Sequence, residues 1–208
     1  MADIAKVLNK VYRKLLAIFG DIKVFKWPMF ILYQPQGYGM KGPDVREVLR
    51  CIKAGDILLR GYNNYLDGYF IPGFFSHAGV YEGRDMVIHA IAEGVLREDL
   101  LNFCRCDYMA VLRFKDNLIE IKDVHNALSK ARKLLGKSYD FEFEHKDDEY
   151  YCTEMVAKAW EDKLEMEPKE LKALGGLIKK KNFMPDQFWT SNQFDTIYFS
   201  DQVSKEFV

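Results

Sequence analysis

The chain has 208 residues, 49% hydrophobic and 14% aromatic, and a formal net charge of -1 from 30 Lys+Arg against 31 Asp+Glu. That length and apolar content suit one substantial core with terminal decorations. The charge balance excludes a global field that would attract nucleic acid or strongly acidic substrates. The four cysteines, Cys51, Cys104, Cys106 and Cys152, are few for the length, and a large core needs no stapling. The composition reads as a reduced, cytoplasmic protein.

Residues 3 to 19 place Ile4, Val7, Leu8, Val11, Leu15, Ile18 and Phe19 at helical spacing, an amphipathic helix with Lys6, Lys10, Arg13 and Lys14 between them. Those charges leave only Leu15 to Phe19 as an uninterrupted apolar run, shorter than a secretory signal needs. No stretch approaches the roughly 20 apolar residues of a membrane span. Through residue 30 six basic side chains stand against Asp3 and Asp21. A helix of that kind, followed by Phe25 to Leu32, has the pattern for peripheral contact of residues 1–32 with an anionic membrane. The preferred reading packs it on its own domain. Glycines and prolines between Pro35 and Pro43 mark a linker, dividing residues 1–44 from a domain at 45–208.

Gly55-Asp56 before Ile57-Leu58-Leu59 predicts a turn into a buried strand. An aromatic segment follows, Tyr62 to Phe75, with Tyr65, Tyr69, Phe70 and Phe74. Strands are predicted near 76–82, 85–91 and 108–114, and a helix over 123–135 that Gly136 caps. A second helix begins near Cys152, a charged helix is predicted near 168–181, and Thr196 to Phe199 forms a last strand. Helices and an antiparallel sheet in separate runs indicate an α+β fold.

Acyl transfer by a thiol requires a thiolate, a base and a group that orients the base. Cys152 stands at a predicted helix start, where free N–H groups and the dipole favour a thiolate and can bind an oxyanion. His77 and His89 flank a hairpin. If Glu82-Gly83-Arg84 is a three-residue loop with Gly83 at positive φ, the two histidines face each other on one sheet face. A two-residue loop would pair His77 with Ala90 instead. Taken singly, each residue reads as structural. In the order strand-His, strand-His, helix-start-Cys, the catalytic reading prevails.

Gly55-Asp56-Ile57-Leu58-Leu59, Ser76-His77-Ala78-Gly79-Val80-Tyr81, Val87-Ile88-His89-Ala90, Glu93-Gly94-Val95 and Tyr151-Cys152-Thr153-Glu154-Met155-Val156 follow in order, with Tyr139-Asp140-Phe141 and Pro185-Asp186 outside them. Over roughly residues 45 to 200 this set resembles the YiiX-like branch of the NlpC superfamily, the circularly permuted papain-fold amidases. The resemblance implies a permuted papain-like fold with Cys152 as nucleophile and His77 as base. At the position of His89 that pattern commonly carries a glutamate; a histidine there looks more like the lecithin:retinol acyltransferase group. Glu93 is the alternative orienter, and Glu154 reads as a brace for the helix start.

Cys104 and Cys106 lack the second ligand pair of a structural zinc site and read as buried residues; no metal or other cofactor is called for. His145, in a polar stretch, reads as solvated, and His125 as an unremarkable residue at a helix start. Aromatic side chains near the histidine, Phe75 and Tyr65, together with Tyr151, are the candidate substrate-binding residues. The expected activity is cleavage of a peptide or lipid-modified amide through a thioester acyl-enzyme. The alternatives are a lipid-directed acyltransferase or acylhydrolase, and an inactive papain-fold binding module. A Cys152–His77 ion pair would keep the thiol reactive below its ordinary pKa of about 8.5.

Overall fold

Strand runs spaced by short turns pair into one six-stranded sheet, and its register decides which side chains meet. The computed structural model describes residues 38–62, 73–141, 148–173 and 178–200, with Leu15 and the short strands at 22–24 and 31–33. The strands are β1 (Ile22–Val24), β2 (Ile31–Tyr33), β3 (Ile57–Gly61), β4 (His77–Gly83), β5 (Met86–Ile91), β6 (Gly94–Asp99), β7 (Tyr108–Phe114), β8 (Lys169–Ala173), β9 (Ile178–Asn182) and β10 (Phe194–Phe199). The helices are α1 (Gly42–Cys51), α2 (Leu100–Phe103), α3 (Ile121–Lys133), α4 (Cys152–Ala159) and α5 (Pro185–Thr190). The main sheet runs β10-β7-β3-β4-β5-β6, antiparallel throughout. Architecture and order agree with the expected α+β fold.

Both faces of the sheet are covered, which is why its central strands are apolar on both sides. Ile57, Leu59, Ala78, Val80, Ile88 and Ala90 pack against Ala127, Leu128 and Ala131 of α3 and Met155 and Val156 of α4. The opposite face, with Leu58, Tyr81, Val87, Met109 and Val111, packs against Val48 of α1 and Leu100 and Phe103 of α2. Cys104 and Cys106 are buried in this second cluster, as expected of them, and His125 is exposed on α3. Gly94 has φ 109°, and a Cβ there would lie 2.4 Å from Lys137 O. That close approach lets Val95 N–H reach Lys137 O (2.9 Å) and Gly136 N–H reach Val95 O (2.8 Å), tying β6 to the chain that leads toward α4.

Several elements differ from expectation. Of the predicted N-terminal helix only Leu15 is described; it is helical and exposed. The predicted charged helix over 168–181 is instead the β8–β9 hairpin, in register from Lys169↔Asn182 to Ala173↔Ile178. Gly175 and Gly176 explain this: each costs a helix interior about 1 kcal/mol relative to Ala. Of the linker read at 35–43, the described part from residue 38 runs directly into α1, and Met40 N–H bonds Cys106 O (3.0 Å), fastening that part to the body. The three-residue loop is not formed. The β4–β5 turn is Arg84-Asp85 with φ of 54° and 58°, the left-handed pair of a type I′ connection. A bulge between Tyr81 and Gly83 shifts the register, so Gly79 faces His89 and His77 lies one step diagonal to it. Among the described residues no helix is long and apolar enough to cross a membrane.

The Gly55-Asp56 motif has a structural role. Asp56, 2% exposed, accepts Arg113 Nε (2.8 Å) and Nη2 (2.7 Å) and the Lys53 N–H (2.7 Å), while Arg113 Nη2 also reaches Cys51 O (2.7 Å). Removing one partner of a buried pair strands the other charge. Arg113→Ala should lower the unfolding free energy by about 2–3 kcal/mol, the lower range for a pair whose arginine is partly solvated. Urea unfolding measures this; an unchanged midpoint would contradict it.

Candidate active site

Cys152 is the first residue of α4, and both chain neighbours are clamped. Tyr150 N–H donates to Ser138 O (2.9 Å), laying the segment before the helix alongside Ser138. Thr153 Oγ1 donates to Phe183 O (2.6 Å), and Phe183 N–H donates to the Tyr151 hydroxyl (3.0 Å). Tyr151, the N-cap, gives the helix no side-chain hydrogen bond, which leaves first-turn N–H groups for other acceptors.

Burial raises the pKa of the Cys152 thiol and outweighs the lowering by the Ala78 and Thr153 amides, the Thr153 side chain and the Arg60 charge. The thiolate expected from the helix terminus is therefore corrected. Cys152 is only 3% exposed, and a thiol in apolar surroundings favours its neutral form.

The two histidines come together despite the altered register. His77 Nε2 lies 2.8 Å from His89 Nδ1, with the rings edge-on at 85°. Gly79, opposite His89, makes room: a Cβ there would lie 2.8 Å from Val87 Cγ1 and 3.2 Å from His89 Cβ. His77 is half-buried and His89 fully buried. Burial, then the charges of Arg60 and His89, hold His77 well below its ordinary pKa. Burial and Arg60 push His89 down to about 3. Both rings are therefore neutral at pH 7, and one hydrogen bond between them commits His77 Nε2 and leaves His77 Nδ1 as the nitrogen open to a further proton.

Cys152 reaches β4 from α4, whereas the imidazoles are carried by β4 and β5 themselves. Helix α4 covers the face of Ala78 and Val80, whereas His77 and His89 share the other face and contact the Phe103 ring at 5.8 and 5.4 Å. The thiol meets the Ala78 amide, one residue beyond His77, at the beginning of β4. No hydrogen bond joins Cys152 to either ring among the described residues. The structure brings His77 and His89 together but does not bring Cys152 into contact with them.

The candidate substrate-binding residues fare differently. Phe75 is fully buried against Phe74, Tyr108 and Trp189, and Tyr151 is 2% exposed, so neither offers a ring face to a substrate; burial corrects both. Tyr65 lies outside the described residues. Glu93 is exposed on the turn between β5 and β6. Sequence reasoning missed Arg60 and Glu98, and named Asp186 only within a motif, without a role. Arg60 is paired with His77 across β3–β4. Asp186 accepts the Phe74 and Phe75 amides (2.7 and 2.8 Å) and so anchors the chain entering His77. Among the described residues no three His, Cys, Asp or Glu side chains are grouped to hold a metal ion.

The sequence profile of the permuted papain-like amidase enzymes, the YaeF/YiiX or C92 family, matches residues 51–198. The protein belongs to this family. It is thus a cysteine hydrolase of the amidase and peptidase type. The crystal structure of metalloprotein YiiX from Escherichia coli O157:H7 shares the fold, with a TM-score of 0.61 at 21% identity over 72% of this chain and 98% of that one. No curated protein sequence matches.

The upward shift of the thiol has a direct consequence. Since only thiolate alkylates, iodoacetamide labelling of Cys152 should rise with pH through a midpoint above the free-thiol value of about 8.5. Peptide mapping of the labelled protein follows each cysteine separately. A reactivity plateau extending below pH 7 would show a preformed ion pair instead.

Proposed function

We propose that the protein cleaves an amide through a thioester acyl-enzyme, with Cys152 as nucleophile, His77 as base and acid, and His89 as the group that orients His77. The observation carrying this reading is the 2.8 Å His77–His89 bond beside the strand residue whose amide meets the Cys152 thiol. In the first step His77 Nδ1 takes the thiol proton as sulfur bonds to the carbonyl carbon. The oxyanion is met by first-turn N–H groups of α4, which lack a side-chain cap. Collapse breaks the C–N bond, and His77 gives its proton to the departing amine. Water then attacks the thioester, passes a proton to His77, and the C–S bond breaks with return of that proton to sulfur.

A neutral thiol beside a neutral imidazole suits general-base chemistry, in which the proton leaves sulfur only as substrate is attacked. A groove of about 390 Å³ along α4 favours an amide with polar flanks over a lipid ester. Glu154, Lys158, Glu161 and Glu167 line it together with Leu164 and Phe183. Tyr150 and Glu154, which flank Cys152 in sequence, reach this groove, although Cys152 itself does not line it.

The test is release of amine from peptide amides against release of fatty acid from anionic vesicles. Amine release should dominate, vanish in Cys152→Ala and fall by about 10³–10⁴-fold in His77→Ala. Dominant fatty-acid release would favour the lipid-directed alternative. Equal turnover by Cys152→Ala would end the reading. The acid limb of kcat/KM should lie below pH 6.5, because His77 stays neutral until pH falls through its lowered pKa. A limb at or above pH 6.5 would contradict that.

A further inference from the structure

The polar row on this face continues past His89. Strands β5 and β6 pair with His89 facing Leu96, so Glu98 stands two residues on, diagonal to His89 as His89 is to His77. Glu98 Oε2 lies 3.3 Å from His89 Nε2 and 3.4 Å from Arg60 Nη1. His89 Nε2 is buried and has no aligned hydrogen-bond partner; the Glu98 carboxylate lies beside it, and the Arg60 charge also acts on the ring. Arg60 is held in place from elsewhere: its guanidinium stacks 4.3 Å from the Phe103 ring centroid, and Nη1 donates to Phe103 O (3.2 Å).

Resting on the roles proposed for Cys152 and His77, we propose that Glu98 is a positioning residue that selects the tautomer of both imidazoles. Two neutral histidines joined by one hydrogen bond have two arrangements with the same number of protons. In one, both carry the proton on Nε2: His89 Nε2–H lies near the Glu98 carboxylate without a hydrogen bond to it, His89 Nδ1 accepts from His77 Nε2–H, and His77 Nδ1 is bare. In the other, both carry it on Nδ1: His89 Nδ1–H donates to His77 Nε2, and His77 Nδ1 is already protonated. Only the first can take a proton from a thiol. The second places a bare, partly negative His89 nitrogen 3.3 Å from a carboxylate oxygen, so the negative charge of Glu98 disfavours it. The low pKa of both rings keeps the pair in these neutral arrangements. Arg60 anchors Glu98 at that position, and its own Nη1 is committed to the carboxylate and to Phe103 O.

Long-range ¹H–¹⁵N spectra of the full chain labelled with ¹⁵N-histidine at pH 7 read the tautomers directly. In the unmodified protein His77 and His89 should both carry the proton on Nε2. Glu98→Leu should populate His77 Nδ1–H and slow hydrolysis of p-nitrophenyl acetate by at least about tenfold. Glu98→Gln keeps the shape and removes the charge, and should shift the tautomer in the same direction as Glu98→Leu. A merely structural role for Glu98 would leave the ring protons where they are. The proposal is overturned if His77 of the unmodified protein carries its proton on Nδ1, a result that needs no variant to fold. It is equally overturned if Glu98→Leu leaves both tautomers unchanged. Because the spectra do not depend on turnover, loss of the nucleophile reading, seen as full activity of Cys152→Ala, is told apart from loss of this one.

Discussion

The hydrogen bond between His77 and His89 is the constraint on which the candidate site depends, and it is a product of strand register. A side-chain period of two means that a slip of one residue would send one ring to the α4 face and leave the other behind. The Arg84-Asp85 turn with the bulge after Tyr81 produces a slip that keeps both rings on one face, diagonal rather than opposed. Gly79 accepts the resulting crowding, and Phe103 closes the far side of both rings. Asp186 fixes the other end, through the amides of Phe74 and Phe75 just before His77.

The same packing sets the chemistry. Burial disfavours charge on the thiol and on both rings, and the guanidinium of Arg60 adds to this for the rings. The resting site is then a neutral thiol and a neutral base rather than an ion pair. A helix terminus lowers a thiol pKa only when its field exceeds the desolvation of the sulfur, and at 3% exposure it does not. In the proposed mechanism the proton leaves sulfur only as a substrate carbonyl is attacked.

What the sequence made legible was local or periodic. The alternation around Ala78-Gly79-Val80-Tyr81 and Val87-Ile88-His89-Ala90 located β4 and β5, and the apolar spacing after Cys152 located α4. The motif order placed the chain in its family, which the profile match over 51–198 bears out. Gly83 has the positive φ expected of it (97°), but nothing in the pattern marks Arg84 and Asp85 as left-handed too, and a bulge leaves no mark in an alternating pattern. The β8–β9 hairpin was hidden by charged residues that suit either an exposed helix or an exposed hairpin; Gly175-Gly176 was the deciding signal. Phe75 and Tyr151 could not be sorted into core or pocket because aromatic composition is the same for both. Glu98 was invisible as a neighbour of His89, since their proximity arises from the diagonal alignment of β5 and β6. Asp186 reaches across 112 residues to Phe74, a separation no local pattern reports.

The claim that a sulfur at the start of α4 forms the covalent intermediate can be tested without knowing the natural substrate. The protein is mixed with p-nitrophenyl acetate, quenched in acid during the burst, and digested for peptide mass mapping. The account predicts one acetyl group on the peptide carrying Cys152, appearing with the nitrophenol burst and decaying with turnover. Sustained turnover with acetyl on another residue, or on none, would contradict it.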